Sequence, residues 1–248
     1  MPGVRASNML RFVRSLACVM AVVVTALWPC VAAAGDPQPS AIAPAAEQSA
    51  LPAPFNSTSH QPSGRLLEKW NAAAIELRID IDVIAACRAD LDACESDAAK
   101  RLIAIVDEAT KREGRARVGV INRAVNLAIA AASDMAQYGV EDKWASPLTT
   151  FASGRGDCED YALAKYAALR AAGFASDDLR LVIVHLPQSR IDHAVLSVRD
   201  EGRWLILDNR RFAMLDAAHL DAVPLFALRE DDAPAQVAAQ FPDVPYLL

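Results

Sequence analysis

A cysteine, a histidine and an aspartate in the second half of the chain are the residues best suited to chemistry. Cys158 follows the glycine-rich residues 154–156 and begins an amphipathic run that ends at Gly173. This pattern predicts a helix with the thiol in its first turn. The unpaired N–H groups and the dipole of a helix N-terminus favour the thiolate, which is the nucleophilic form of cysteine. Cys158 is therefore a candidate nucleophile that needs a base.

His193 and Asp208 are a candidate base and its orienting carboxylate, on two neighbouring strands of a predicted hairpin. A two-residue turn at 200–201, or a four-residue turn at 199–202, sets His193 directly opposite Asp208. Directly opposed side chains have Cβ atoms about 5 Å apart, close enough for a carboxylate to hold an imidazole in one tautomer. A three-residue turn with a bulge at Gly202 would instead shift the register by one. The three residue types together suit nucleophilic catalysis.

The other three histidines are weaker candidates for the base. His185 ends a predicted strand but has no carboxylate at a matching hairpin position. His219 lies in a weakly patterned tail, and His60 lies in a polar segment near the N-terminus. His193 is therefore the preferred base.

Acidic residues surround the candidate nucleophile: Asp157, Glu159 and Asp160. Without compensation these carboxylates would raise the pKa of Cys158 and oppose the thiolate. A bound hard cation such as Ca²⁺, which prefers oxygen ligands, would remove that conflict. Alternatively, acids in a first helical turn simply complement the helix dipole. The residues alone leave both interpretations open.

The N-terminal region has the composition of targeting and linker segments. Residues 1–34 combine arginines, an apolar run and Ala32-Ala33-Ala34, which is the layout of a cleaved export signal. An uncleaved membrane anchor is the alternative, because the apolar run is nearly long enough to span a bilayer. Residues 35–63 are rich in Pro, Ala, Ser and Gln and predict a flexible linker. Residues 64–248 are then expected to form one domain.

The periodicity within that domain changes from helical to strand-like. Three helices are expected in its first half, at about 66–86, 98–111 and 118–132. Three strands are expected after the cysteine helix, at 181–186, 194–198 and 204–207. The sequence therefore predicts an α+β fold, with N-terminal helices and a central cysteine-bearing helix packed on an antiparallel β-sheet.

Charge and cysteine content narrow the function classes. The 248-residue chain has a net charge of −6 with both signs interspersed, which disfavours binding to nucleic acid or an anionic membrane. Loss of residues 1–34 leaves three cysteines, which in an oxidising compartment suggests one disulfide and one free thiol. Cys87 and Cys94 would lie about 10 Å apart on a continuous helix, so a bridge requires a turn at 88–92. The alternative is two buried, unbonded side chains.

A set of motifs runs through the candidate residues. In chain order these are Asn122, Asn126, Asp134, Asp142-Lys143-Trp144, Pro147, Gly156-Asp157-Cys158-Glu159-Asp160-Tyr161-Ala162, Lys165, Leu169, Gly173, His193-Ala194-Val195-Leu196 and Leu207-Asp208-Asn209. Over about residues 66–230 they resemble the bacterial transglutaminase-like cysteine peptidases, and most closely the LapG type.

The resemblance implies a specific enzyme. Its expected fold is papain/transglutaminase-like, and its expected activity is that of a periplasmic, calcium-dependent cysteine endopeptidase with Cys158, His193 and Asp208 as catalytic triad. Asp157 and Glu159 would be the calcium ligands. The implied substrate is the N-terminal region of a large surface adhesin, whose cleavage releases biofilm-bound cells. The implied inhibitory partner is an inner-membrane cyclic di-GMP receptor of the LapD type.

Two other functions stay open at this point. A transglutaminase or amidase shares the chemistry up to the thioester, so the same three residues would serve it. A non-catalytic calcium-dependent binding module is disfavoured by the intact cysteine, histidine and aspartate. Analysis of products would separate cleavage from crosslinking, and a thiol-directed peptide electrophile would identify a reactive Cys158.

Overall fold

Residues 63–232 are described by the computed structural model. The predicted export signal at 1–34 and nearly all of the predicted linker at 35–63 lie outside the described residues. In the described part of the chain, no helix combines the length and apolar character needed to span a bilayer.

Between residues 63 and 232 the chain forms six α-helices. They are α1 (Gly64–Ala89), α2 (Asp97–Ala109), α3 (Gly114–Ala128), α4 (Asp134–Tyr138), α5 (Pro147–Ser153) and α6 (Cys158–Ala171). Serine side chains cap α2, α4 and α5 by accepting a backbone N–H three residues further on, which satisfies part of each helix N-terminus. The predicted N-terminal helices and the cysteine helix are confirmed.

The third helix is shorter than its apolar pattern predicts. It ends at Ala128 instead of near residue 132, because Ile129 has an extended backbone. The next two residues, Ala130–Ala131, form strand β1, which pairs in parallel with β2 (Arg155–Gly156). This pairing ties the end of α3 to the residues that directly precede Cys158.

A five-stranded sheet follows α6. Its strands are β3 (Leu179–Leu186), β4 (Ile191–Asp200), β5 (Arg203–Leu207), β6 (Leu215–Asp216) and β7 (Val223–Leu228). Their order is β6-β5-β4-β3-β7, and every neighbouring pair is antiparallel. Leu196 and Leu207 face the helical layer, whereas Val195 and Ile206 belong to a second apolar cluster.

Helix α6 is the centre of the fold. Every residue from Glu159 to Leu169 is buried, as expected of a helix that is covered on all sides. The helix packs against α1, α2, α3 and α5 and, through its other side, against β4. The structure therefore confirms the predicted α+β architecture, in which helices and an antiparallel sheet enclose the cysteine-bearing helix.

The β4–β5 hairpin has a register that differs from the predicted one. Asp200 pairs with Arg203, so the turn consists of Glu201 and Gly202. Both turn residues have positive φ, +48° at Glu201 and +77° at Gly202, as a twisted two-residue hairpin turn requires. The prediction of a turn at 200–201 or 199–202 is therefore wrong.

The corrected register changes the relation between the candidate base and its carboxylate. The β4–β5 ladder ends at the pair Leu196 and Leu207, before Asp208. Continued in the same register, His193 would face Arg210 and not Asp208. The predicted direct opposition of His193 and Asp208 is therefore also wrong.

Cys87 and Cys94 form a disulfide with Cα atoms 4.7 Å apart. The bridge is possible because α1 ends at Ala89 and the chain turns before Cys94. The Asp90 carboxylate stabilises this turn by accepting the backbone N–H groups of the second and third residues after it. The required turn within 88–92 is present, and Cys158 is the free cysteine among the described residues.

Replacing both bridged cysteines, Cys87→Ser with Cys94→Ser, is expected to lower the free energy of unfolding by about 2 kcal/mol, because the unfolded chain regains the freedom of a short closed loop. Urea unfolding followed by circular dichroism measures this. A reducing agent should destabilise the native protein similarly and leave the double variant unchanged. Equal stability of the variant and the native protein would contradict the expectation.

Candidate active site

The start of α6 is fixed by contacts of Asp157 and Asp160. Asp157 is the N-cap, and the Asp160 carboxylate accepts the backbone N–H groups of Asp157 at 3.3 Å and Ala145 at 2.8 Å. Gly156 is required here because an added Cβ would lie 2.7 Å from the Cβ of Asp160. Cys158 is thereby held at the first position of the helix.

The Cys158 thiol lies between an acidic neighbour and strand β4. Its sulfur is 3.0 Å from Glu159 Oε2, to which the thiol donates. The backbone N–H of Ala194 is close enough to the sulfur to act against the rise in the pKa of Cys158. Ala194 directly follows His193, so the thiol lies beside the part of β4 that carries the candidate base. The cysteine is partly exposed, as a nucleophile that must meet a substrate has to be.

His193 and Asp208 form a buried hydrogen bond. His193 Nε2 is 3.0 Å from Asp208 Oδ1, and each residue is about 5% exposed. Arg210 adds its backbone N–H and its guanidinium to the same carboxylate. Burial alone would raise the pKa of Asp208, but hydrogen bonds from His193 and Arg210 outweigh it and hold this pKa well below its usual range. Asp208 is thus an ionised acceptor, so Nε2 carries the proton.

The contact exists although the predicted register is wrong. Asp208 lies two residues before the position opposite His193, so the two side chains are diagonal neighbours on one face of the hairpin. The predicted and observed registers differ by an even number of residues, which leaves the facing of every side chain unchanged. The sequence therefore identified the correct partner through an incorrect turn.

Five carboxylates gather next to the thiol. Asp134 Oδ1 and Asp157 Oδ1 are buried and have no hydrogen-bond partner in the described part of the chain. Two sets of three carboxylates have ligand atoms within 4.8 Å of one another: Asp134, Asp142 and Glu159, and Asp134, Asp157 and Asp160. Buried unpaired carboxylate oxygens in such proximity suit a hard divalent cation such as Ca²⁺, which takes several oxygen ligands.

The predicted metal residues are part of this cluster, but the cluster is larger. Asp157 and Glu159 were expected from the motif, whereas Asp134, Asp142 and Asp160 were not assigned as ligands. Asp134 begins α4, is 1% exposed, and accepts the backbone N–H of Lys143. Asp142 is exposed and forms an ion pair with a lysine of α1. Only the tertiary fold brings these distant positions together.

The cluster opposes ionisation of its own members and of the thiol. Burial, reinforced by Asp157, raises the pKa of Glu159 to about 8. Burial also raises the pKa of Asp160 to about 7. The pKa of Cys158 is raised by burial and then by the charge of Glu159. The expected conflict between these carboxylates and a thiolate is therefore present.

Lys165 is a buried cation that the sequence motifs contain but to which no role was assigned. It is fully buried, and its Nζ has no hydrogen-bond partner within residues 63–232. Burial lowers its pKa to about 7, partly offset by the charge of Asp208. Arg210, which donates hydrogen bonds to the Asp208 carboxylate, was also not predicted. Its position two residues after Asp208 gives no sign of this contact.

The profile of the bacterial transglutaminase-like cysteine proteinases matches residues 78–220, which include Cys158, His193 and Asp208. The chain belongs to this family. The candidate site of this cysteine proteinase and the five clustered carboxylates thus all lie within the residues that the family profile matches.

Three solved structures of LapG from Legionella pneumophila are similar to this cysteine proteinase. The first shares 27% identity, covers 59% of this chain and 82% of its own, and has a TM-score of 0.47. An EGTA-treated form shares 28% identity over 59% and 80% of the two chains, with a TM-score of 0.47. A calcium-bound form shares 26% identity over 63% and 83%, with a TM-score of 0.47. No curated protein sequence matches the chain.

The raised carboxyl pKa values predict how the metal-free protein responds to pH. The native state retains protons on Glu159 and Asp160 that the unfolded state releases above about pH 5. The free energy of unfolding, measured by urea titration with a chelator present, should therefore fall as the pH rises from about 5 to about 8. Glu159→Gln, which cannot ionise, should show a smaller fall. A stability that is constant or rises over this interval would be inconsistent with the cluster described.

Proposed function

We propose that this cysteine proteinase is a periplasmic, calcium-dependent endopeptidase that cleaves the N-terminal region of a large surface adhesin, and so releases biofilm-bound cells. Its triad is Cys158, His193 and Asp208. The observation that carries the proposal is the buried hydrogen bond between His193 and an ionised Asp208, next to a free thiol at a helix N-terminus. The family assignment supports the same reaction class.

The proposed chemistry is nucleophilic attack by the Cys158 sulfur on a peptide carbonyl carbon. His193 takes the thiol proton through Nδ1, because Asp208 holds Nε2, and then gives this proton to the leaving amine. Water next attacks the thioester while His193 Nδ1 takes one proton from it, and His193 gives this proton to the sulfur as the acid product leaves. The backbone N–H of Cys158, which has no partner within the helix, can donate to the oxyanion.

The carboxylate cluster is the proposed calcium site. The resemblance assigns Asp157 and Glu159 as ligands, and the unpaired oxygen of buried Asp134 supports its participation. Bound Ca²⁺ supplies positive charge that offsets the carboxylates beside the thiol. Asp160 and Asp157 also have a structural role. The hydrogen bond from the Asp157 backbone N–H to the Asp160 carboxylate fixes the first turn of α6 and so orients Cys158.

Export to the periplasm is proposed from two independent features. Residues 1–34 have the layout of an export signal. The disulfide between Cys87 and Cys94 is of a kind that persists in oxidising compartments. Regulation by an inner-membrane cyclic di-GMP receptor of the LapD type is proposed from the family resemblance alone.

The direct test is cleavage of a candidate adhesin N-terminal fragment by the protein starting at Gly35. Cys158→Ala and His193→Ala are expected to lower the rate by at least about a thousandfold, because the nucleophile or base is lost. EGTA should abolish cleavage by the native protein, and added Ca²⁺ should restore it. Products are identified by mass spectrometry.

A matched control is available in a second histidine–aspartate pair. His185 Nδ1 lies 2.9 Å from Asp192 Oδ1, and the two residues are directly opposed on β3 and β4. The expectation that His185 has no carboxylate at a matching hairpin position is therefore wrong, but this pair is solvent-exposed. His185→Ala should therefore leave cleavage unchanged. Full activity of Cys158→Ala would contradict the triad, and crosslinked products in place of cleaved ones would assign acyl transfer to an amine. Cleavage that EGTA does not affect would contradict the calcium site alone.

A further inference from the structure

The loop that carries Asp208 is held by two asparagines of α3. Asn126 Nδ2 donates to the backbone carbonyls of Asp208 at 3.0 Å and Arg211 at 2.9 Å. One helical turn earlier, Asn122 Nδ2 donates to the carbonyls of Arg211 at 3.2 Å and Phe212 at 3.1 Å. Both asparagines thus donate hydrogen bonds to the chain just after β5 ends.

Each of these amides uses both of its N–H donors on the loop. Their oxygens, Asn122 Oδ1 and Asn126 Oδ1, are buried and have no hydrogen-bond partner within the described residues. A buried amide oxygen without a partner destabilises the native state, and an apolar side chain of the same size would avoid that cost. The donors are therefore the part of each side chain that the structure uses.

Asp208 depends on such support because the sheet does not hold it. The last β4–β5 pair is Leu196 with Leu207, so the Asp208 backbone lies outside the ladder. Its carboxylate reaches His193 only along a diagonal, at 3.0 Å. A small displacement of this loop would lengthen that hydrogen bond directly.

The same helix also supports the cysteine side of the site. Directly after α3, the backbone N–H groups of Ala130 and Ala132 donate to the carbonyls of Gly154 at 2.8 Å and Gly156 at 2.9 Å. These glycines immediately precede the N-cap of the helix that begins with Cys158. Helix α3 and the short segment directly after it are therefore bonded to the chain near both Asp208 and Cys158.

We propose that Asn126, assisted by Asn122, is a positioning residue that fixes Asp208 so that its carboxylate holds His193 in the geometry needed for proton transfer. The catalytic consequence rests on the proposed function, in which His193 is the base. The contact between Asn126 and the Asp208 carbonyl sets the distance between His193 and Asp208 whether or not a substrate is present. Neither Arg210 nor Lys165, the charged residues next to Asp208, takes part in this contact.

The first readout is the downfield proton resonance of the His193 Nε2–H that donates to Asp208, observed by NMR without substrate. Asn126→Leu removes both donors at nearly constant volume and should shift or abolish this resonance. Asn122→Leu should have a smaller effect, because Asn122 does not bond Asp208. The control is Asn71→Leu on α1, where Oδ1 is likewise buried without a partner and the amide makes no hydrogen bond to the described chain. This control should leave the resonance unchanged.

The second readout is adhesin-fragment cleavage. Asn126→Leu should lower kcat by about a hundredfold with little change in KM, because the base is misplaced while substrate contacts remain. If Asn126→Leu does not fold, Asn126→Ala also removes both N–H donors at this half-buried position and tests the same proposal. A folded variant with an unchanged resonance and unchanged kcat overturns the proposal, even if its thermal stability is lower. A shifted resonance in a protein whose native form cleaves nothing would uphold the positioning role and reject the proposed function.

Discussion

Buried negative charge at the first turn of α6 is the constraint on which the site depends. Asp160 fixes the start of the helix through the backbone of Asp157, and the helix start fixes the thiol. Burial raises the pKa of Cys158, and Glu159 and Asp157 raise it further, which opposes the nucleophilic form. Asp157 therefore both helps to orient the nucleophile and opposes its ionisation, and the proposed cation would resolve this conflict.

The two halves of the site come from two layers of the fold. The helical layer supplies Cys158 and the carboxylates, whereas the sheet supplies His193 and the residues after β5 supply Asp208. Packing of α6 against β4 brings the layers together. Helix α3 and the strand β1 that follows it reinforce this arrangement, since β1 pairs with the chain that precedes the cysteine and Asn126 of α3 donates to the backbone of Asp208.

Local patterns in the sequence were sufficient for α1, α2, α3, α6, the three strands β3 to β5 and the candidate triad, but they did not predict the short helices α4 and α5 or the strands β1, β2, β6 and β7. The glycines before Cys158 and the apolar stripe after it correctly predicted a helix that begins with the thiol. The hairpin turn was mispredicted because Glu201 adopts positive φ, a conformation that its residue type does not indicate. The predicted contact between His193 and Asp208 is still present, because the predicted and observed registers differ by an even number of residues.

Those local patterns could not predict contacts between distant parts of the chain. Asp134 and Asp142 join Glu159 only when α4 and the segment after it fold against α6. Asn126 meets Asp208 across more than eighty residues of sequence, and its helical position gives no sign of this partner. The disulfide was an open choice for the same reason, since it depended on whether the chain turns after Ala89.

The central claim is that positive charge at the carboxylate cluster activates the thiol, and the alkylation rate of Cys158 by iodoacetamide tests it without any substrate. The protein starting at Gly35 is compared at neutral pH in EGTA and in Ca²⁺, with alkylation at Cys158 quantified by mass spectrometry. The rate is expected to rise at least about tenfold with Ca²⁺, because the thiolate becomes more favourable. A rate that is unchanged or lower in Ca²⁺ would contradict the claim.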